Sequence, residues 1–341
     1  MPNFMGLSIK FKLKLLLVYP LHLLFKLITD YENFNFKTQT IKWARSNASL
    51  QDARTLINDR SLEELLNDEK QKFSEISNEE FTSNSRWIFK ADDLNKDSPI
   101  ILFIHGGGFN LRTLEGHILG LVKTFRALKN PKISILGLDY QTTPESKFPT
   151  QIEQLLYVYH KLTDQDGFKN VLLLGDSAGG NIELILLYQL KNQLPNLLKI
   201  QTKPKGAAFL SPWVDLRIEK KGSVITNEPY DYLSYERLKI LSDSYTDDVT
   251  TNPLTSPASL TDWEGTLPEH VFYNYGAHEI LADSIVDFAQ KVGIDDKDIY
   301  IEPDGVHVHP YFEYAILPQE EFEQTPFCKN FINLLKAMDW D

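Results

Sequence analysis

A serine flanked by glycines directly follows an apolar run. Residues 171–174 read Val-Leu-Leu-Leu, and Gly175–Gly180 (Gly-Asp-Ser-Ala-Gly-Gly) comes next, before a helical pattern. This is the G-x-S-x-G arrangement in a strand–turn–helix setting. The glycines permit a very tight turn, and the helix that starts there directs its amide donors at developing negative charge. The pattern predicts that Ser177 is the nucleophile of an acyl-transfer reaction.

A second glycine-rich turn follows another apolar run. Residues 100–104 are followed by His105 and then by three consecutive glycines, Gly106–Gly108. Such a run costs backbone entropy and indicates a backbone that approaches a ligand closely. The tetrahedral intermediate of acyl transfer needs amide donors about 3 Å from its oxygen. We therefore expect the amides of Gly107, Gly108 and Ala178 to form an oxyanion hole, while His105 holds the loop.

The elements that must position these groups alternate along the chain. Short, continuous apolar runs predict buried parallel strands at 100–104, 133–138, 171–174, 207–210, 271–275 and 299–301. Helical patterns, such as 151–162 and 181–190, lie between them. Strands that alternate with helices imply right-handed βαβ units. The predicted fold class is α/β, with a mostly parallel sheet, helices on both faces and catalytic groups at the carboxyl ends of the strands.

Composition excludes several classes of function. The 341 residues carry a net charge of −12, which argues against a nucleic-acid partner, because phosphate binding needs clustered Lys and Arg. Cys328 is the one cysteine, so an intrachain disulfide and a cysteine-based zinc site are both excluded. The oxyanion turn also lacks the Gly-Lys-Ser/Thr of a phosphate-binding loop. No metal or organic cofactor is implied.

Taken together, the motifs resemble one family. The chain carries, in order, His105–Gly108, Asp139-Tyr140, Gly175–Gly180 and Ser211–Leu216, and this series is similar to that of the hormone-sensitive-lipase-like family of α/β-hydrolases. The resemblance covers roughly residues 98–310. Within the family the chain looks most like the fungal steryl acetyl hydrolases, through its Leu-rich N-terminus and through Gly305-Val306-His307. The resemblance implies an α/β-hydrolase fold and a serine esterase.

The base and the acid should follow the last two strands, since the chain order in this fold is Ser, acid, His. Two histidines, His307 and His309, follow the last strand, and the family pattern selects His307. The preceding strand is followed by Glu279 and, one helical turn later, by Asp283. Glu279 is favoured because it lies where many relatives carry aspartate and at the loop end of the strand. Asp283 remains the alternative acid or a helix cap.

The N-terminus differs in composition from the rest of the chain. Residues 1–30 are rich in Leu and Phe, and Lys10, Lys12 and Lys14 precede the uncharged stretch 15–25. A spanning helix needs about 20 predominantly apolar residues. A signal anchor, an in-plane membrane helix and a helix packed on the protein itself therefore compete. We expect membrane association through residues 7–28, at the endoplasmic reticulum, the alternative location being cytoplasmic. If the segment spans the membrane, the preceding lysines favour a cytoplasmic N-terminus and a lumenal catalytic domain.

Residues 31–341 are expected to form the α/β-hydrolase domain. A cap would come from the N-terminal helices and from the long insertion 213–263, whose tyrosines and leucines suit a hydrophobic small-molecule ester. The resemblance implies a short-acyl ester of a bulky lipid alcohol, such as a steryl acetate. A general carboxylesterase is the first alternative and an aryl formamidase the second. A non-catalytic binder on the same fold is the third, but plant gibberellin receptors of this type lack the histidine, whereas His307 is present here.

Overall fold

The computed structural model describes residues 6–29, 40, 43, 44 and 47–340. In this part of the chain one sheet of eight strands has the order β1-β2-β4-β3-β5-β6-β7-β8. The strands in chain order are β1 Glu79–Thr82, β2 Ser85–Phe89, β3 Ile100–Ile104, β4 Ser134–Leu138, β5 Val171–Asp176, β6 Gly206–Leu210, β7 His270–Gly276 and β8 Ile299–Glu302. Strand β2 runs antiparallel to both β1 and β4, and the other neighbouring strands are parallel.

The core lies on both faces of this sheet. Strands β3, β4, β5 and β6 are buried along their whole length, as expected for parallel strands covered on both sides. Because side chains alternate along a strand, Ile100, Leu102 and Ile104 join one apolar cluster, whereas Ile101 and Phe103 join the other. The predicted α/β-hydrolase fold class is confirmed.

Helices cover both faces and fill the connections between the strands. They are α1 Ile9–Leu17, α2 Tyr19–Thr29, α3 Leu50–Ile57, α4 Leu62–Glu69, α5 Glu115–Leu128, α6 Thr150–His160, α7 Ala178–Asn192, α8 Ser223–Thr226, α9 Tyr235–Tyr245, α10 Ala282–Val292, α11 His309–Phe312, α12 Gln319–Phe322 and α13 Pro326–Ala337. The predicted strands match β3–β8 to within two residues. Helix α6 ends in a π-helical turn at Lys161–Gln165.

The two N-terminal helices pack with one face against the rest of the protein. Phe11 is buried and lies 5.8 Å from the ring of Trp43, and Tyr19 lies 4.9 Å from the same ring. Ser8 begins α1 and donates its amide to Asp52 on α3. Residues 1–5 and 30 of the predicted membrane segment lie outside the described residues. Among those that are described, no helix is both long enough and apolar enough to cross a bilayer.

Candidate active site

Ser177 occupies the tight turn between β5 and α7. Its backbone has φ 51° and ψ −116°, a conformation that an L-residue adopts only when the surroundings enforce it. Its amide donates to the carbonyl of Leu210 at 2.9 Å. A Cβ at Gly179 would lie 1.9 Å from the carbonyl oxygen of Ile104, so the close approach of α7 to β3 requires glycine there.

His307 lies between Ser177 and Glu279. The imidazole Nε2 is 2.8 Å from the Ser177 hydroxyl, and Nδ1 is 2.9 Å from Oε2 of Glu279. The three side chains come from the turn after β5, the loop after β7 and the loop after β8. All three residues are buried, with at most 6% of the surface of each exposed to solvent. The structure therefore brings together the three residues that the sequence selected.

The two alternative residues have other partners. Asp283, in the first turn of α10, accepts the amide of Ser223 at 2.8 Å, and its own amide donates to the Ser223 hydroxyl at 3.1 Å. His309 begins α11 and packs its ring against Tyr314. Burial lowers the pKa of His309. Asp283 thus joins the start of α10 to the start of α8, and its side chain does not cap its own helix.

Burial raises the pKa of the Glu279 carboxyl, and the nearby carboxylate of Asp231 raises it further. The His307 imidazole opposes both effects, as does the hydroxyl of Ser211. Ser211 also accepts the amide of Val308 at 2.9 Å. It stands at the end of β6 with a φ of 48°, and its hydroxyl contacts the segments that carry both Glu279 and His307. Burial outweighs these two neighbours, so the pKa of the Glu279 carboxyl lies above the usual value for glutamate.

The glycine loop after β3 faces the nucleophile. Gly107 and Gly108 both have positive φ values, 103° and 62°, and both line the same cavity as Ser177. The amide of Gly106 donates to Oδ1 of Asp176 at 2.9 Å, which ties this loop to the nucleophile turn. Ala178 is the first residue of α7, where backbone amides have no partner within the helix. This geometry fits the predicted oxyanion hole.

Two buried histidines support this loop. The ring of His105 stacks on Tyr140, and its Nδ1 lies 2.7 Å from the carbonyl of Gly106. Burial lowers the pKa of His105 to about 4, so the ring is neutral at physiological pH. His117, on α5, accepts the amide of Leu114 on Nδ1 and directs Nε2 at Asp176, 3.3 Å away. Asp176 thus lies between His117 on α5 and the glycine loop.

A cavity of about 350 Å³ opens onto Ser177 and His307. Its walls are mostly apolar side chains from two distant parts of the chain. The N-terminal part contributes Ala44, Ala48, Ala53, Leu56 and Ile57, and the insertion contributes Trp213, Tyr232, Leu233, Arg237, Leu238 and Leu241. Arg237 joins the two walls, since its guanidinium donates to the carbonyl of Ala48 at 3.2 Å. In the described part of the chain, no group of His, Cys, Asp and Glu is arranged to hold a metal ion.

Comparison with known proteins assigns the chain to a family. The family model described as steryl acetyl hydrolase matches residues 14–322. The chain belongs to the steryl acetyl hydrolase family. The Schizosaccharomyces pombe protein mug81, whose name assigns it provisionally to these hydrolases, is 30% identical over 260 residues, or 71% of this chain and 68% of that protein. Steryl acetyl hydrolase 1 of Saccharomyces cerevisiae is 26% identical over 242 residues, which are 64% of this chain and 55% of that protein.

Esterases from bacteria are similar as well. An esterase of Acinetobacter venetianus is 33% identical over 204 residues, which cover 57% of this chain and 61% of that protein. The match thus spans less than two thirds of this esterase, and the same holds for the Saccharomyces cerevisiae protein. A hormone-sensitive lipase from a metagenome library has the same fold, with a TM-score of 0.66 at 24% identity over 88% of this chain and 96% of that one. The family relationship indicates a carboxylic ester hydrolase.

Several residues around the site were not predicted from the sequence. Ser211 and Asp176 lie within recognised motifs, so their positions were known but their partners were not. His117 belongs to none of these motifs. Asn227 and Asp231, which contact the Glu279 loop, follow no motif. Their spacing in the sequence carries no signal, because their partners are backbone atoms of a segment about fifty residues away.

Proposed function

We propose that this protein is a serine esterase that hydrolyses short-acyl esters of hydrophobic alcohols, with steryl acetates as the first substrates to test. The observation that carries the proposal is the position of His307, whose two ring nitrogens contact Ser177 and Glu279 at 2.8 and 2.9 Å. A neutral imidazole that donates from Nδ1 to a carboxylate has its Nε2 lone pair available for a hydroxyl proton. The tautomer that the proposed reaction needs is the one that Glu279 favours.

The proposed reaction has two half-steps. Ser177 Oγ attacks the ester carbonyl carbon while His307 Nε2 takes the hydroxyl proton, and the negative charge on the tetrahedral intermediate is held by the amides of Gly107, Gly108 and Ala178. The carbon–oxygen bond to the alcohol then breaks, and His307 returns the proton to the leaving oxygen. In the second half-step, His307 deprotonates a water that attacks the acyl-enzyme, which releases the acid and restores the Ser177 hydroxyl.

The cavity supports the choice of a hydrophobic substrate. Its alanines and leucines offer few hydrogen-bonding groups, so recognition there depends on apolar surface removed from water. We propose that residues 31–341 form the hydrolase domain, and that the N-terminal segment and the insertion 213–263 together form its cap. Arg237 lies in the buried contact between these two walls. The family supports ester hydrolysis, and the steryl alcohol remains a proposal.

We further propose that α1 and α2 attach the protein to a membrane surface. The side of these helices that faces away from Trp43 is apolar and exposed, and it carries Ile9, Leu13, Leu16, Leu17, Val18, Leu21 and Leu24. An amphipathic helix of this kind binds in the plane of the bilayer interface. A location at the endoplasmic reticulum stays a prediction.

The test of function is ester hydrolysis by the full-length chain in membranes. Acetate release from a steryl acetate is compared with release of p-nitrophenol from p-nitrophenyl acetate, for the wild type and for Ser177→Ala. We expect the wild type to cleave both esters and Ser177→Ala to cleave neither above the rate of membranes without the protein. Immunoblotting and active-site labelling with a fluorophosphonate control for expression and for an intact nucleophile.

The other outcomes distinguish the alternatives. Cleavage of the soluble ester alone would favour a general carboxylesterase and remove the steryl substrate. Activity of Ser177→Ala equal to that of the wild type would refute the serine mechanism. Cleavage of neither ester by a labelled, folded wild type would favour the non-catalytic binder.

A further inference from the structure

The insertion contacts the loop that carries Glu279 through one short stretch. We call residues 223–233 the clamp segment and residues 277–283 the acid loop. Asn227 donates its side-chain amide to the carbonyls of both Ala277 and Glu279, at 3.1 and 3.0 Å. These bonds fix the backbone on both sides of His278. Each is a bond to a main-chain oxygen, so it constrains the path of the loop rather than one rotamer.

Asp231 holds the same loop from its other end. Its Oδ2 accepts the amide of Ile280 at 2.7 Å, while Oδ1 accepts the amide of Leu233 at 3.1 Å. The side chain is fully buried. A buried carboxylate is costly unless hydrogen bonds compensate its lost hydration. Asp231 is therefore held firmly by amides of the clamp segment and of the acid loop together.

The start of the clamp segment adds a third attachment. Ser223 donates its hydroxyl to the carbonyl of Ile280 at 2.9 Å, in addition to its two bonds with Asp283. The sheet side holds the acid loop as well, because the amides of Ala277 and His278 donate at 2.9 and 2.8 Å to carbonyls at the end of β8 and in the loop that follows it. The acid loop is thus fixed between the sheet and the insertion.

The clamp segment also reaches the base and the cavity. The hydroxyl of Tyr232 donates to the carbonyl of His307, and Tyr232 and Leu233 line the cavity in front of Ser177. One stretch of the insertion therefore contacts the acid loop, the residue between acid and nucleophile, and the space for the substrate. A cap that served only to enclose the substrate would not need the first two contacts.

We propose that Asn227 and Asp231 are positioning residues for Glu279. They fix the backbone of the acid loop from the side of the insertion, so that the Glu279 carboxylate stays within hydrogen-bonding distance of His307. The inference rests on the proposed function, since it assigns these residues to the alignment of the proposed acid. They touch neither the substrate nor the reacting atoms.

The test is the Asn227→Ala variant of the full chain, assayed with p-nitrophenyl acetate. A displaced acid lowers kcat, because misplacement of a catalytic group by about 1 Å costs on the order of 100-fold in rate. We expect kcat per fluorophosphonate-titrated site to fall roughly 10- to 100-fold, while KM changes less than about threefold. Asn227→Gln keeps the amide donors and should recover part of kcat. Asn252→Ala, which alters a short 3-10 turn elsewhere in the insertion, is the matched control.

A spectroscopic measurement separates positioning from loss of stability. The imidazole Nδ1 proton that is shared with a carboxylate gives a downfield proton NMR signal, which should shift or broaden in Asn227→Ala and stay in place in Asn252→Ala. If Asn227→Ala keeps the wild-type kcat and the wild-type signal while Ser177→Ala is inactive, the inference is wrong and the proposed function stands. If Ser177→Ala is as active as the wild type, the proposed function itself has failed.

Should Asn227→Ala fail to fold, Asp231→Asn provides the second test. An asparagine retains one acceptor oxygen for the two amides that Asp231 binds, so it weakens the attachment without emptying the space. The expected result is the same fall in kcat per titrated site at nearly constant KM. An Asp231→Asn enzyme with wild-type kcat and an unshifted imidazole signal would overturn the inference.

Discussion

At the scale of single residues, the fold gives the carboxylates of Glu279 and Asp283 different partners. Glu279 contacts the imidazole of His307, whereas Asp283 contacts the backbone and hydroxyl of Ser223. The first bond orients the proposed base, and the second joins the start of α10 to α8. The two carboxylates therefore differ in what their removal should change.

We predict that Glu279→Gln lowers kcat by about 10³- to 10⁴-fold, because an amide no longer stabilises the imidazolium or fixes its tautomer. We expect the fold-loss in kcat of Asp283→Asn to be at least about ten times smaller than that of Glu279→Gln, since Asp283 acts only through Ser223. The comparison uses hydrolysis of p-nitrophenyl acetate per titrated site, with circular dichroism to verify the fold of both variants. Equal losses would show that the acid has been assigned to the wrong residue.

Much of this site could be predicted from the sequence, because its groups follow short local patterns. The turn around Ser177 and the glycines of the oxyanion loop are constrained by geometry within a few residues. The order of the strands narrowed the base to His307 or His309 and the acid to Glu279 or Asp283, and the family resemblance then favoured His307 and Glu279. Asn227, Asp231 and the contacts of Ser211 could not, since their partners are backbone atoms that only the tertiary fold brings near.

At the scale of elements, the junction between α7 and β3 is the tightest approach at the site. The Cβ that an alanine would place at Gly179 lies 1.9 Å from the Ile104 carbonyl oxygen, a distance that no side chain can adopt. Both elements are buried along their contact. Neither can move without displacing the nucleophile turn or the glycine loop.

We predict that Gly179→Ala abolishes folding or leaves a protein with no bound fluorophosphonate, because the backbone of α7 must shift. Gly265→Ala is the matched control: Gly265 has a φ of 69° with nothing within 4 Å of its Cβ position. That substitution should cost only about 1 kcal/mol of unfolding free energy, the strain of a left-handed alanine. Urea denaturation and labelling measure both effects. A folded, fully labelled Gly179→Ala protein would contradict the close approach.

The parallel strands could be predicted from the sequence, whereas the antiparallel strands at one edge of the sheet could not. Strands β3–β8 are mostly buried on both faces, and their apolar runs stand out in the sequence. Strands β1 and β2 were missed, because Glu79, Glu80 and Arg86 interrupt them at exposed or half-buried positions near the sheet edge. An antiparallel edge pair needs less apolar surface, so it leaves a weaker pattern.

At the scale of the whole molecule, charge is distributed unevenly. The chain has a net charge of −12, yet Lys10, Lys12 and Lys14 lie on α1, next to its exposed leucines. Lysine stems can lie along apolar surface while the ammonium groups reach toward phosphates. The described part of this acidic chain therefore has a basic, apolar region on α1, and the proposed membrane attachment would bring it against anionic phospholipid.

We predict that the full chain co-sediments with vesicles that contain anionic phospholipid, and less with vesicles of neutral phospholipid alone. Leu13→Glu combined with Leu17→Glu should abolish this binding, because two buried charges oppose insertion of the helix face. Hydrolysis of soluble p-nitrophenyl acetate should stay unchanged, since neither residue lines the cavity. Undiminished sedimentation of the double variant would show that these helices do not dock on the bilayer.

The attachment of the insertion to the acid loop limits how this enzyme can be recombined with its relatives. Exchanging the cap between homologues is an obvious way to change the substrate range of an enzyme with this fold. Here an exchange of residues 213–263 alone would also replace the donors that fix the backbone around Glu279. A functional hybrid would have to take residues 277–283 from the same parent as the insertion. The two segments must therefore be exchanged together, although β7 separates them in the chain.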